Sequence, residues 1–298
     1  MNSFLEDLRN NFTKSGSSLN QIIIINLVVF LVLIVMKVIL TISGVNEIYH
    51  IISNYIFLPA YFMEFAFKPW TIITYFFTHE EFFHILFNMI FLYWFGQLIT
   101  EFLGNKRLVN LYILGGIAGG ILYLVMYNTI PYFSVKAYNT ALLGASGAVY
   151  AVVLGAATLL PDYTFYLIFI GPVRIKYIAA AYLILSFAQM IGPNAGGNIA
   201  HLGGGIMGML YIWQLRRGND WGKPIEKMSS FFNDLFKPRP KIEVSYKSTT
   251  KKKMVSNDDD ISQAELDAIL DKISKFGYEK LTKEEKQKLF KASQSTHI

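Results

Sequence analysis

The chain has no cysteine, which excludes disulfides and every thiol-based chemistry. It is also poor in charge: 16% of residues are Asp, Glu, Lys or Arg, against about 25% in a soluble domain. The charge it does have is crowded at one end. Residues 218–298 hold 16 of the 27 Lys and Arg and 13 of the 21 Asp and Glu. An apolar body is therefore followed by a polar tail. No basic stripe interleaved with aromatics accompanies the net charge of +6, which argues against nucleic acid as a partner. No carboxylate lies deep in any apolar run, and no metal or cofactor site is expected.

What the body does contain is apolar runs near the roughly 20 residues a helix needs to cross a bilayer. Six can be read: Gln21–Thr41, Phe82–Leu103, Leu108–Tyr127, Leu142–Leu160, Val173–Ile191 and Ile199–Leu215. The first is too long for a removed signal peptide and has no small-residue cleavage site. Arg9, Lys14, Lys106, Arg107, Arg174, Lys176, Arg216 and Arg217 all fall on one side of such a bundle, and the positive-inside rule makes that side cytoplasmic, with both termini on it. The opposite loop from Ser43 to Glu81 mixes aromatics with charge and two prolines; an amphipathic structure in the membrane interface fits both features.

Polar side chains inside the runs are costly and ask for a reason. Ser146 stands in Gly144-Ala145-Ser146-Gly147, and His201 precedes Gly204 and Gly208. His84 and Asn88, four apart, share one helix face. Small residues at these spacings also let helices pack closely, so Ser146 could simply mark a helix crossing, and Asn88 could bond a neighbouring helix. Taken together, the set matches what peptide hydrolysis requires. Ser146 is a candidate nucleophile and His201 its base. His84, Asn88 and the Ser146 backbone N–H are candidate oxyanion donors. With Glu101 near the cytoplasmic end of its run and Asp162 in a cytoplasmic loop, the site should be a Ser–His dyad, its imidazole held by packing; Tyr150, one turn after Ser146, is the residue to stack on it. His79 reads as an anchor for the loop.

These residues carry a resemblance. His84-x-x-x-Asn88 followed by Gly96, the Gly144–Gly147 motif with Tyr150, and His201-x-x-Gly204-x-x-x-Gly208 resemble the motifs of the rhomboid intramembrane serine proteases, over roughly residues 20–215. The resemblance implies an all-α, six-transmembrane-helix bundle with an interfacial outer loop between spans 1 and 2. It also implies Ser146 and His201 as catalytic pair, His84, Asn88 and Ser146 N–H as oxyanion hole, and Tyr150 packing the base. Substrates would be single-span membrane proteins, entering from the lipid past the fifth helix and cut near the outer half of the membrane. The bacterial type, with its C-terminal helical tail, is the nearest likeness, and the expected location is a bacterial inner membrane. A catalytically inactive, client-binding relative and a transporter are the competing classes; the latter would need a continuous polar path.

The domain organisation expected is a lead-in over 1–19, the protease domain over 20–217, a flexible linker over 218–260 and a small helical hairpin over 261–298. Pro238, Pro240 and the Lys251–Lys253 and Asp258–Asp260 runs indicate the linker. Ser262 with Glu265, and Thr282 with Glu285, are capping-box patterns opening two helices, and Gly277 can close the first. Such a hairpin buries little alone and needs a cytoplasmic partner.

Overall fold

The structure is a computed structural model that describes residues 18–167, 170–236 and 263–295. It divides into two compact units, Met1–Lys237 and Pro238–Ile298.

The first unit is an all-α membrane bundle. Helix α1 (Ser18–Ile42) is apolar throughout and buries only Leu19, Ile22, Asn26 and Leu33. Its exposed Leu31, Val32 and Ile39 form a surface that only lipid would cover favourably. The connection that follows holds α2 (Asn46–Ile56), a two-residue strand β1 (Leu58–Pro59) and two short helices, α3 (Phe62–Phe67) and α4 (Thr71–Thr74). Helix α2 buries Tyr49 and Ser53 while Ile48, Ile51 and Tyr55 stay exposed, the pattern of an interfacial helix. The connection is tied down by polar bonds: Trp70 Nε1 donates to the Tyr55 carbonyl at 2.8 Å and Thr74 Oγ1 to that of Ile56 at 2.7 Å.

Helices α5 (Phe82–Leu103) and α6 (Asn105–Thr129) meet at Gly104, and α6 leads through a short turn of helix, α7 (Pro131–Ser134), to strand β2 (Ala141–Leu142). Helix α8 (Ser146–Leu159) follows, then the hairpin β3 (Thr164–Leu167) and β4 (Gly171–Arg174), α9 (Ile175–Ala188), α10 (Ala195–Arg216) and α11 (Lys223–Phe236). Six apolar helices thus occupy the six expected runs. Three of them, α1, α5 and α6, are long and apolar enough to cross a membrane by length and composition.

The expected run Leu142–Leu160 is helical only from Ser146. Its first residues pair instead with β1, Leu142 opposite Leu58 and Ala141 opposite Pro59. Non-helical backbone at this level is tolerated because it is paired inside protein: Ala60 N donates to Thr140 O at 2.9 Å and Gly144 N to Tyr75 O at 3.0 Å. Fourteen residues span about 21 Å, against about 30 Å of hydrocarbon. Helix α8 is therefore too short to cross the hydrocarbon from end to end.

Close packing of α6, α8 and α10 forms the centre. A Cβ on Gly204 would overlap the Gly147 carbonyl, one on Gly208 that of Ala151, and one on Gly115 the Ala151 side chain. Backbones in van der Waals contact are the membrane alternative to a hydrophobic core.

The sequence expectation of a linker from residue 218 is corrected over Lys223–Phe236, which is helical. Arg107 Nη1 contacts Asp220 Oδ2 at 2.7 Å and Glu226 Oε1 at 2.6 Å, and Asn110 Nδ2 donates to the same Glu226 oxygen at 3.1 Å. These bonds hold the segment on the bundle. The Lys251–Lys253 and Asp258–Asp260 runs and most of the 1–19 lead-in lie outside the described residues.

In the second unit, α12 (Gln263–Phe276) ends at Gly277, whose φ of +83° is the left-handed value a helix stop favours. In front of α13 (Lys283–Ser295), Thr282 N donates to Glu285 Oε2 at 2.7 Å and Glu285 N to Thr282 Oγ1 at 3.3 Å, a reciprocal capping box. The Lys272 ammonium beside it, first, and the Thr282 backbone N–H hold the Glu285 carboxyl below its usual range. Ser262, the other cap expected, lies outside the described residues.

Candidate active site

Helix direction brings the polar residues to one level. His84 and Asn88 are in the first two turns of α5, Ser146 opens α8, and His201 is in the second turn of α10. These helix starts lie at one end of the bundle. The opposite end is marked by Arg216 Nη2, which donates to the Leu159 carbonyl at 2.9 Å, and by the Asp162–Lys176 contact at 2.6 Å. Glu101 and Asp162 accordingly lie at ends remote from Ser146.

A cavity of about 320 Å³ is lined by Ser146, His201, His84, Asn88 and Tyr150, with Glu81, Phe91 and Tyr182 among its other walls. The five residues singled out from sequence thus share one space. Ser146 is buried, at 9% exposure. No hydrogen bond joins Ser146 to His201 among the described residues. The imidazole stacks on the Tyr150 ring, with centroids 4.1 Å apart and planes 10° from parallel. Its Nδ1 lies 3.2 Å from Ser186 Oγ, and that hydroxyl donates to Tyr150 Oη at 2.9 Å.

The other wall is built by the loop before α5. Gly144 has φ +112° and its missing Cβ is the space the His84 ring occupies; any side chain there would be strained and would clash. His79 is fully buried. Its Nε2 accepts from Ala145 N at 3.2 Å and lies 3.2 Å from Asn88 Nδ2. An imidazole nitrogen that accepts carries no proton, so His79 is neutral with its proton on Nδ1, an atom without a partner among the described residues. Burial first, and the neighbouring His84 second, push its pKa down to about 3. His79 therefore fastens the segment before Ser146 to α5. One Asn88 N–H is engaged by it and the other remains for the cavity. The Ser146 N–H, at the first position of α8, has no acceptor within its own helix.

Ser186 and the His79–Ala145 bond were not evident in the sequence. The one serine of the run Val173–Ile191 was the available signal for the first. For the second there was none, because it joins residues 66 apart.

With this geometry in hand, comparison with known proteins is direct. The Rhomboid domain profile matches residues 66–218, half of the chain. The chain belongs to the rhomboid family. Members are typically serine proteases acting on transmembrane substrates, although some are inactive. Similar proteins include RHOMBOID-like protein 12, mitochondrial, of Arabidopsis thaliana, 32% identical over 50% of this chain and 47% of the relative. Rhomboid protein 1, mitochondrial, of Saccharomyces cerevisiae is 32% identical over 47% and 40%, and mouse Presenilin-associated rhomboid-like protein, mitochondrial, 29% over 46% and 35%. The chain spans less than half the length of each. Another relative is chloroplastic. These names overturn the expected bacterial type and bacterial inner membrane, since they point to a eukaryotic organelle membrane instead. The tail, residues 255–295, matches a family of unknown function, DUF6576.

Proposed function

We propose that this rhomboid domain is an active intramembrane serine endopeptidase that cleaves single-span membrane proteins with a Ser146–His201 dyad. The observation that carries the reading is the single cavity that a buried serine hydroxyl, a stacked imidazole and two further donor side chains all line. In it, His201 Nε2 takes the Ser146 proton as Oγ attacks the scissile carbonyl. The oxyanion is held by Ser146 N–H, His84 and the free Asn88 N–H, each such donor being worth about 2.7–4 kcal/mol of barrier. His201 then gives the proton to the leaving amine, the peptide C–N bond breaks, and water, deprotonated by the same imidazole, releases the acyl group. The Ser146–His201 bond forms when substrate closes the cavity, as catalytic hydrogen bonds commonly do.

The segment 20–217 is the catalytic domain in this reading, and the 263–295 hairpin serves a partner. An organelle membrane is the compartment shared with the relatives. The test is cleavage of single-span substrates in vesicles by wild type and Ser146→Ala, with fluorophosphonate labelling in parallel. The expected result is cleavage and labelling by wild type alone. Wild-type protein that neither cleaves a substrate panel nor labels at Ser146 would favour the inactive, client-binding class.

A further inference from the structure

We infer that Ser186 is a positioning residue that fixes the tautomer of His201, taking by a neutral hydroxyl the part that a carboxylate takes in a triad. The inference rests on the hydrolase reading for its kinetic consequence, but not for its geometry.

The argument follows the protons. To accept from Ser146, His201 needs an unprotonated Nε2, so its proton must sit on Nδ1. In the free imidazole the two tautomers compete, and stacking on Tyr150 restrains the plane of the ring without choosing between them. The choice needs a polar partner at Nδ1, and Ser186 Oγ is 3.2 Å away. A serine hydroxyl can donate or accept, so alone it would not decide either. The relay assigns its proton to Tyr150 Oη, 2.9 Å away. With the proton spent, the oxygen presents lone pairs to Nδ1, and the tautomer that satisfies both contacts is Nδ1–H. The relay runs His201 Nδ1–H to Ser186 Oγ, then Ser186 Oγ–H to Tyr150 Oη. When the imidazolium forms, the same N–H remains bonded, so the charged state gains more than the neutral one.

Burial supports a dedicated role. Helix α9 buries only Ile175, Ala179 and Ser186, while its Ile184, Leu185 and Phe187 face outward. Among the three, Ser186 alone is polar, and it is 2% exposed. A hydroxyl sealed at this level of an apolar helix is unfavourable unless bonded, and its two contacts are with the base and with the ring that stacks on the base.

The test combines histidine nitrogen-15 NMR with kinetics. The five histidines are labelled, and the His201 signals are identified by their loss in His201→Ala. Wild type should show His201 protonated at Nδ1, and Ser186→Ala should shift its population toward Nε2–H. In vesicles, Ser186→Ala should lower kcat roughly 10- to 100-fold, the range of one hydrogen bond to an ionised group. KM should be unchanged, and Ser186→Thr, which keeps the hydroxyl, should recover most of the rate. Should Ser186→Ala not fold, Tyr150→Phe removes the acceptor that orients the hydroxyl and should move the tautomer in the same direction. A tautomer population unmoved by the variant overturns the inference, as does a Ser186→Ala kcat equal to wild type. Wild type that cleaves nothing while Ser186→Ala still shifts the tautomer would instead sink the hydrolase reading and leave the relay standing.

Discussion

Replacing Gly204 by alanine adds one methyl group where the α10 backbone lies against α8. The built Cβ falls inside the van der Waals envelope of the Gly147 carbonyl, an atom that belongs to a helix backbone and cannot rotate away. Restoring contact requires the helices to part by more than about 1 Å, and overpacking of this kind costs about 1–3 kcal/mol. Glycine-to-alanine in a helix returns up to about 1 kcal/mol of propensity, so the net loss of stability should be about 0–2 kcal/mol. Activity should fall much further. Gly204 is one turn from His201, Gly147 is next to Ser146, and a displacement of about 1 Å in a reacting pair can cost about 100-fold in rate. Gly205→Ala is the internal control. Its Cβ meets the Leu154 side chain at 3.3 Å and that of Leu183 at 3.4 Å, atoms that can give way, so melting temperature and turnover should stay near wild type. Both variants are purified in detergent, melted, and assayed for cleavage of a single-span substrate in vesicles. Equal turnover in the two variants would refute the backbone contact between α8 and α10 as the feature that sets the dyad.

Acid should loosen the loop before α5. His79 titrates near 6.5 when unfolded and at about 3 when folded, so the unfolded chain binds its proton first. Stability is unaffected above pH 6.5 and is lost as pH falls from there toward 3. The loss should approach about 5 kcal/mol at the acid limit, and His79→Asn should flatten the acid limb of the melting-temperature curve by about one proton's worth. A variant with the wild-type limb would mean that His79 is accessible to protons. At the bundle end remote from Ser146, the Asp220 side chain is 6% exposed beneath Arg107, so Arg107→Ala leaves a nearly buried carboxylate with only the Tyr211 Oη and Gly222 N donors. Hydrogen exchange over 223–236 should rise, with a loss of about 1–3 kcal/mol; unchanged protection would show that α11 is held by its apolar face instead.

The positions of the helices were legible because each apolar run is long and bounded by charge or glycine. The run Phe82–Leu103 and the helix coincide end to end. The start of α8 was misjudged for a physical reason. Hydropathy sums side chains, and Leu142 and Leu143 are as apolar in a paired strand as in a helix. Only the backbone partners at Leu58 and Tyr75, far away in sequence, decide between the two. Lys223–Phe236 was hidden by its neighbours. Pro238, Pro240 and the charge runs beyond it read as linker, while the Arg107 and Asn110 contacts that fix it come from another part of the chain. Ser146, His201, His84 and Asn88 were legible because polar groups in apolar runs are few and their spacings are informative. Ser186 met the same criterion but lacked a motif, and a serine in a membrane helix is explained as readily by a bond to its own backbone.

Among the described residues no carboxylate bonds His201; Glu81, on the loop before α5, is the acid that lines the same cavity. Ser146 opens a 14-residue helix too short to cross the hydrocarbon. An ionised Asp facing the base there would carry a desolvation cost of several kcal/mol. A hydroxyl relay carries no charge in the resting state and still accepts from the imidazolium when one forms. The same short helix explains why the non-helical segment 140–145 is paired at β1, Tyr75 and His79: without those partners its backbone could not remain below the lipid surface, and the serine would be carried up to it. The backbone pairing of 140–145 and the burial of the serine are thus two consequences of one choice, which is to start α8 at Ser146 rather than at Leu142.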